Sequence, residues 1–328
     1  QADLLLSLDD FSERILLPMT NNLAGDVAFT VMSCIEGNQG NPGVCNLASN
    51  QLGTGFITHP TTQTILYGKS RLEDNSTPNM NGPNSRKFVY DPWSEANVVT
   101  TLTGLFNPQQ QIGDQYRSGK MKNALGFDFY MDQTVIKHTS GTFTAGTVNG
   151  AGQSGGGQTG TTVVTNAITG TLLIGDIVTI DGVFAVNRVT KQTTGMLRQF
   201  VVVANAASGA TSVQLFPAII PAVGGNAVQY QTVTASPANG AAIRLATQPS
   251  EVYRKNFCYA PKAITMVTGD LPLPEGVERA ARAQYDGISM RMITQYAIGT
   301  DQSISRLDVL YGFLLVRPEW ACIVPDSI

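Results

Sequence analysis

Between His138 and Pro249 the chain carries only six charged residues, Asp176, Asp181, Arg188, Lys191, Arg198 and Arg244, whereas both flanks have ordinary mixed charge. The same stretch is built from short β-branched runs, IVTI, VFAV, QFVVVAN, SVQLFPAII and AIRLAT, separated by Gly, Thr and Ser clusters. Runs of this length are too short for helices, and their regular spacing is that of strands in a small barrel or sandwich. Asp181-Gly182 lies between two of the apolar runs and predicts a hairpin turn, since Gly accepts the positive φ that such turns require. Residues 139–248 are therefore expected to form an inserted all-β domain, barrel-like in architecture.

The flanks read differently, as α+β. Phe11, Ile15, Leu16, Leu23, Val27, Val31 and Ile35 recur near the helical period, so a helix is expected over residues 7–36, opened by Ser7 with Asp10 and stopped by Gly37. Pro18 predicts a kink or restart inside it. Residues 60–75 predict a second helix ending before Pro78, and residues 87–91 a short strand. Ser94 is expected to cap a third helix through Val98, Val99, Leu102, Leu105 and Phe106, ended by Asn107-Pro108. Beyond Glu251 the text becomes strands: Met290 and Met292 alternate with polar neighbours, and RLDVLYGFLLV supplies a partner strand with Gly312 as a bulge or close contact. Residues 1–138 and 249–328 are thus expected to form one discontinuous core around the insertion.

Few chemistries fit this composition. Hydrophobic residues make up 42% of the 328, charged residues 14%, and the net charge is -3 without any Lys/Arg block. Such a chain folds, and it lacks the clustered cations needed to neutralise phosphates as its main work. Cys34, Cys45, Cys258 and Cys322 are scattered and have two histidines for company, so no metal site is expected and free thiols are. No apolar run is long enough to span a bilayer. Residues 149–155 satisfy G-x-G-x-x-G, but without the strand, helix and acidic residue of a dinucleotide site, so no cofactor is expected. His59 and His138 leave open a hydrolase, although no G-x-S-x-G elbow accompanies either. The Thr/Gly-rich zone alone would also suit a tail-fibre or carbohydrate-binding module, a reading that leaves the helical first zone unexplained. The Asn75-Ser76-Thr77 sequon carries no weight without a secretory signal.

What the third zone does contain is alternating Arg and Asp, among them Asp286, Arg291, Asp308, Arg306 and Arg317. On strand faces these residues are either the solvated side of a sheet or salt bridges between subunits. Asp286, Arg291, Arg306 and Arg317 are the candidate interface residues.

The closing segment ARAQYDGISMRMITQYAIGTDQSISRLDVLYGFLLVRPEWACIV, residues 281–324, resembles the C-terminal signature of the coat-protein family typified by phage P22. LSLDDFSERILLP (6–18) and LFNPQQQIGDQYRSGKMKNALGFDFYMDQTVIKHTSGT (105–142) resemble two further blocks in the same order, and GDIVTIDGVFAVN (175–187) resembles part of the family's insertion domain. The resemblance implies an HK97-like capsid fold with peripheral and axial domains, a long spine helix and an inserted β-barrel. It implies a major capsid protein without cofactor or catalysis, made in the bacterial host cytoplasm and ending in the virion. Its implied partners are further copies of itself in hexamers and pentamers, a scaffolding protein, a portal, an optional cement or decoration protein, and packaged double-stranded DNA in weak non-specific contact. The family's N-terminal arm and extended hairpin loop precede the segment resembling residues 6–18, so the subunit is expected to continue upstream of Gln1.

Overall fold

The computed structural model describes residues 14, 16–37, 40–48, 59–79, 85–102, 123–150, 158–222, 228–285 and 287–328. Helix α1 runs Leu17–Met32 and passes into a 3-10 turn, Ser33–Ile35. Pro18 is the second residue of this helix, and Arg14 and Leu16 before it are π-helical, so the irregularity expected at Pro18 falls at a change of helix type. The earlier part of that expectation, with Ser7, Asp10 and Phe11, lies outside the described residues. Gly37, at φ +96°, ends the segment in a conformation that side chains resist.

Helix α2, Thr62–Asp74, is set by its own sequence. Thr61 accepts from the Thr64 N–H at 3.3 Å while the Thr64 hydroxyl oxygen accepts from the Thr61 N–H at 2.8 Å, a reciprocal cap. Helix α3 runs Pro92–Leu102. Its cap is Asp91, whose carboxylate accepts from the Trp93 N–H at 3.2 Å. Ser94, the expected cap, is instead buried in the first turn, because Pro92 takes the first helical position and moves the cap one residue before it. Leu105 to Pro108 lie outside the described residues.

Sixteen strands are described: β1 Lys87–Tyr90, β2 Asn123–Ala124, β3 Phe127–Met131, β4 Lys137–Thr139, β5 Gly146–Thr147, β6 Gly160–Val164, β7 Ile177–Val186, β8 Thr193–Val202, β9 Ser212–Ile219, β10 Ala242–Leu245, β11 Val252–Tyr259, β12 Ile264–Gly269, β13 Arg279–Tyr285, β14 Ile288–Ala297, β15 Gln302–Leu315 and β16 Ala321–Ser327. They make three sheets. The first has the order β16-β11-β1-β3-β2, with β4 also paired to β11; β1 is parallel to β3 and antiparallel to β11. Helix α2 covers it with Ile65, Gly68 and Leu72, and Gly68 is needed there because a Cβ would stand 3.2 Å from Cys258 Sγ. Phe88, Phe127 and Phe129 fill the space beneath.

The second sheet has the order β5-β10-β7-β8-β9-β6, around a core that includes Phe143, Val178, Ile180, Phe200 and Leu215. Single bridges join Val148 to Thr165 and Ala145 to Thr169, next to the strands at its two ends. Asp181-Gly182 is not a hairpin turn. Both residues lie inside β7, where the register against β8 shifts, and Gly182 takes φ +80° as an irregularity within the strand. Arg244, on neighbouring β10, holds Asp181 at 2.9 Å and 3.0 Å, which keeps that segment in the ladder. The reversal comes later, where Lys191 takes φ +59° and Asn187 Oδ1 accepts from the Val189 and Thr190 N–H groups.

The third sheet has the order β12-β15-β14-β13. Gly312 lies within β15, and a Cβ there would meet nothing within 4 Å, so no close contact accounts for it. The chain divides into two compact units, Gln1–Met32 with Ile264–Leu314, and Ser33–Ala263 with Leu315–Ile328. The third zone of the sequence is therefore shared between them. The four cysteines are buried and unpaired.

Candidate subunit interface

Strands β14 and β15 pair antiparallel from Met290↔Val309 to Ala297↔Gln302, and β13 extends the sheet on the other side. This register puts Arg282, Arg291 and Asp308 opposite one another across three strands. Asp308 collects two guanidinium groups: Arg291 Nη2 at 2.5 Å and Arg306 Nε at 2.7 Å. Both hydrogen bonds hold the Asp308 carboxyl below its ordinary range. The two arginines are nevertheless in different positions. Arg291, 12% exposed at its side chain, also donates to the Pro272 carbonyl at 2.5 Å and is committed within the sheet. Arg306 is 69% exposed and keeps donors turned to solvent.

Arg317 belongs to the other unit and is not brought to this group. Its guanidinium lies 4.5 Å from the Trp320 ring centre and its backbone N–H donates to the Ala263 carbonyl. Asp286 lies outside the described residues. The tip of the β14/β15 hairpin exposes large apolar side chains as well: Ile298 is 87% exposed, and Tyr296 and Ile304 are also exposed, as is Leu310 at the other end of β15. Apolar side chains gathered on a long hairpin, beside free guanidinium donors, are what a protein–protein contact uses.

A second group of charges was not legible in the sequence. In the Ser33–Ala263 unit, His138 Nδ1 lies 2.5 Å from Glu36 Oε1 and its Nε2 lies 2.9 Å from Asp176 Oδ1. Both nitrogens can donate only in the doubly protonated ring. Asp176, fully buried, also accepts from the Leu173 N–H at 2.8 Å and the Gly141 N–H at 3.1 Å. Lys255, also fully buried, donates to the Gly175 carbonyl at 3.1 Å. Burial acts to raise the Glu36 carboxyl, but the His138 hydrogen bond and the charges of Lys255 and His138 outweigh it and leave it below its usual value. For Lys255, burial outweighs the attraction of Glu36 and Asp176 and pushes the ammonium down from 10.5 to about 8.

This depression fixes a pH response. Between about pH 8 and pH 10.5 the unfolded chain holds a proton on Lys255 that the folded chain has released, so the site's contribution to stability rises with pH across that window. Urea titrations of the native chain and Lys255→Met should show the native chain gaining on the variant there, by at most about 1.4 kcal/mol per pH unit. A constant difference from pH 8 to 10.5 would mean that the lysine is not desolvated.

The histidines do not form hydrolase geometry. His59 Nδ1 lies 2.8 Å from Asp326 Oδ1, and the Ser94 hydroxyl donates to Asp326 Oδ2 at 2.5 Å. The carboxylate therefore stands between serine and histidine, and the Ser94 proton faces an acid residue rather than an imidazole base. His138 is enclosed by two carboxylates. Among the described residues, no group of three His, Cys, Asp or Glu side chains could hold a metal, and no helix is long and apolar enough to cross a membrane. Asn75 is buried and donates to the Arg71 carbonyl at 3.0 Å, so the sequon's amide is turned inward. Most of the glycine-rich motif, residues 151–155, lies outside the described residues.

The family model described as "P22 coat protein - gene protein 5" matches residues 79–324, well over half of the chain. No curated protein matches. Among solved structures, the "CUS-3 coat protein I-domain" is similar at 29% identity over 33% of this chain and 93% of that one, with a TM-score of 0.22.

Proposed function

The chain belongs to the P22 coat protein family, and from that premise we propose how it works as a shell subunit. It is a capsid-forming major coat protein of a bacteriophage, and its function is to assemble with copies of itself into the capsid of the virion. The observation that carries this is the family match over residues 79–324. The family is a structural one, and its work is done by surfaces rather than by a reaction centre.

The finer reading is ours. The subunit takes an HK97-like form in which residues 1–138 and 249–328 make the capsid core and residues 139–248 an inserted β-barrel. Two observations support closure of that barrel: the single run of six strands, and the bridges Val148↔Thr165 and Ala145↔Thr169 beside its end strands. Hexamers and pentamers form the lattice, with a scaffolding protein and a portal during assembly in the host cytoplasm, an optional cement protein, and DNA held by weak non-specific contact. Asp286, Arg291, Arg306 and Arg317 contribute to subunit contacts. Arg306 does so directly, an assignment supported by its exposure and unspent donors, and Arg291 acts through Asp308 by stiffening the sheet.

Charge reversal separates these roles. Arg306→Glu should leave monomer unfolding close to that of the native chain while slowing assembly roughly tenfold or more, because a rim charge acts on association and every symmetry-related contact repeats its loss. Arg291→Glu should impair the fold of the sheet and assembly together. Light scattering of assembly beside urea denaturation of the monomer measures both. Assembly by Arg306→Glu at the native rate would remove Arg306 from the interface.

A further inference from the structure

Two guanidinium groups are buried in the Ser33–Ala263 unit without a carboxylate in ion-pair contact among the described residues: Arg71, 7% exposed, in the last turn of α2, and Arg198, 5% exposed, on β8. Both line one small cavity of about 10 Å³, together with Asp74, Asn75 and Thr194. Arg71 Nη2 and Arg198 Nε and Nη2 are buried and have no hydrogen-bond partner; the contact that Arg198 makes is a long one, Nη1 to Asn75 Oδ1 at 3.4 Å. Each unpaired donor is costly once removed from water, and an unpaired charge more so. The cavity wall carries two positive side chains against one acidic side chain, Asp74, which forms no ion pair with either among the described residues.

Burial lowers the Arg71 guanidinium, opposed by Cys322 and Asp74 and helped by Arg198, and burial raises the Asp74 carboxyl; the two cations of the wall face this one carboxylate. The end of α2 adds a partial negative charge of about half a unit, smaller than the excess. A water molecule would satisfy donors but neutralise nothing. The cavity is small, about 10 Å³, which favours a compact ion over phosphate and carboxylate groups.

We propose that this cavity binds a single monoatomic anion of halide size, chloride in ordinary solution, clamped between Arg71 and Arg198 so that it ties α2 to β8. The ion's charge supplies the missing counter-charge, and its spherical shape lets donors from two elements converge without a fixed acceptor geometry. This site is independent of the capsid contacts proposed above.

Urea unfolding of the full chain tests the proposal at constant ionic strength, replacing sodium methanesulfonate stepwise by sodium chloride. A ligand of the folded state alone raises the folding equilibrium constant in proportion to 1 + [L]/Kd, by roughly 100-fold at a chloride concentration 100 times Kd. Methanesulfonate, too large for the cavity, should give no such curve, and Arg198→Met should abolish the response to chloride. The proposal fails if the native chain is equally stable in both salts, or if the chloride-dependent stabilisation persists in Arg198→Met. Should that variant not fold, the native chain decides alone: chloride-selective stabilisation whose free energy grows with the logarithm of chloride concentration supports the site, and a free-energy change linear in chloride, or none, overturns it.

Discussion

Asp176→Ala is expected to cost the folded chain about 3–5 kcal/mol, the range found when one member of a buried charge pair is removed and its partner left behind. The carboxylate is fully buried and accepts from His138 Nε2 at 2.9 Å, the Leu173 N–H at 2.8 Å and the Gly141 N–H at 3.1 Å. Truncation leaves His138 Nε2 and two backbone donors without their acceptor in the interior, with Lys255 losing one of the two negative charges that support it. Asp176→Asn keeps one acceptor oxygen and should fall between the native chain and Asp176→Ala. Urea denaturation at pH 7 measures the series, and a loss under about 1 kcal/mol for Asp176→Ala would show that the group is hydrated.

Gly170→Ala should be comparably damaging for a different reason. Residue 170 has φ +87°, and a Cβ there would stand 2.2 Å from the Thr142 carbonyl oxygen, which is backbone and cannot turn aside. The two segments are held together, with the Thr169 N–H donating to the Ala145 carbonyl at 2.8 Å and the Thr144 N–H to the Thr169 carbonyl at 3.0 Å. Left-handed strain of about 1–3 kcal/mol and overpacking of about 1–3 kcal/mol add to roughly 4 kcal/mol. Gly209, at φ +86° with nothing within 4 Å of its Cβ position, is the control. Gly209→Ala carries the strain alone, so the difference between the two variants in thermal or urea unfolding reports the clash. Equal losses would show that the 142 and 170 segments can move apart.

What the sequence made legible was local. Local pattern and the stop before Pro78 placed α2 within two residues at its start and one at its end, and the reciprocal cap of Thr61 and Thr64, residues three apart, is as local. The β-rich, charge-poor stretch was legible for the same reason: each short run declares its own strand. Asp181-Gly182 misled because a turn signal competes with tertiary pairing, and here β10 holds Asp181 through Arg244 while Gly182 spends its positive φ inside the strand. The alternating Arg and Asp of the third zone pointed to a charged sheet face. They could not show that Arg291 and Arg306 share Asp308, since strand register decides which side chains meet. Lys255 and Asp176 looked like ordinary charges, because burial is a property of the folded neighbourhood and leaves no mark at one position.

The central claim is that this chain builds a closed shell. Electron microscopy of the chain expressed together with the scaffolding protein proposed above tests it most directly. The account predicts closed icosahedral particles with hexameric and pentameric clusters in their walls. Trimeric rods, or monomers that never associate under conditions where the chain is folded, would contradict it.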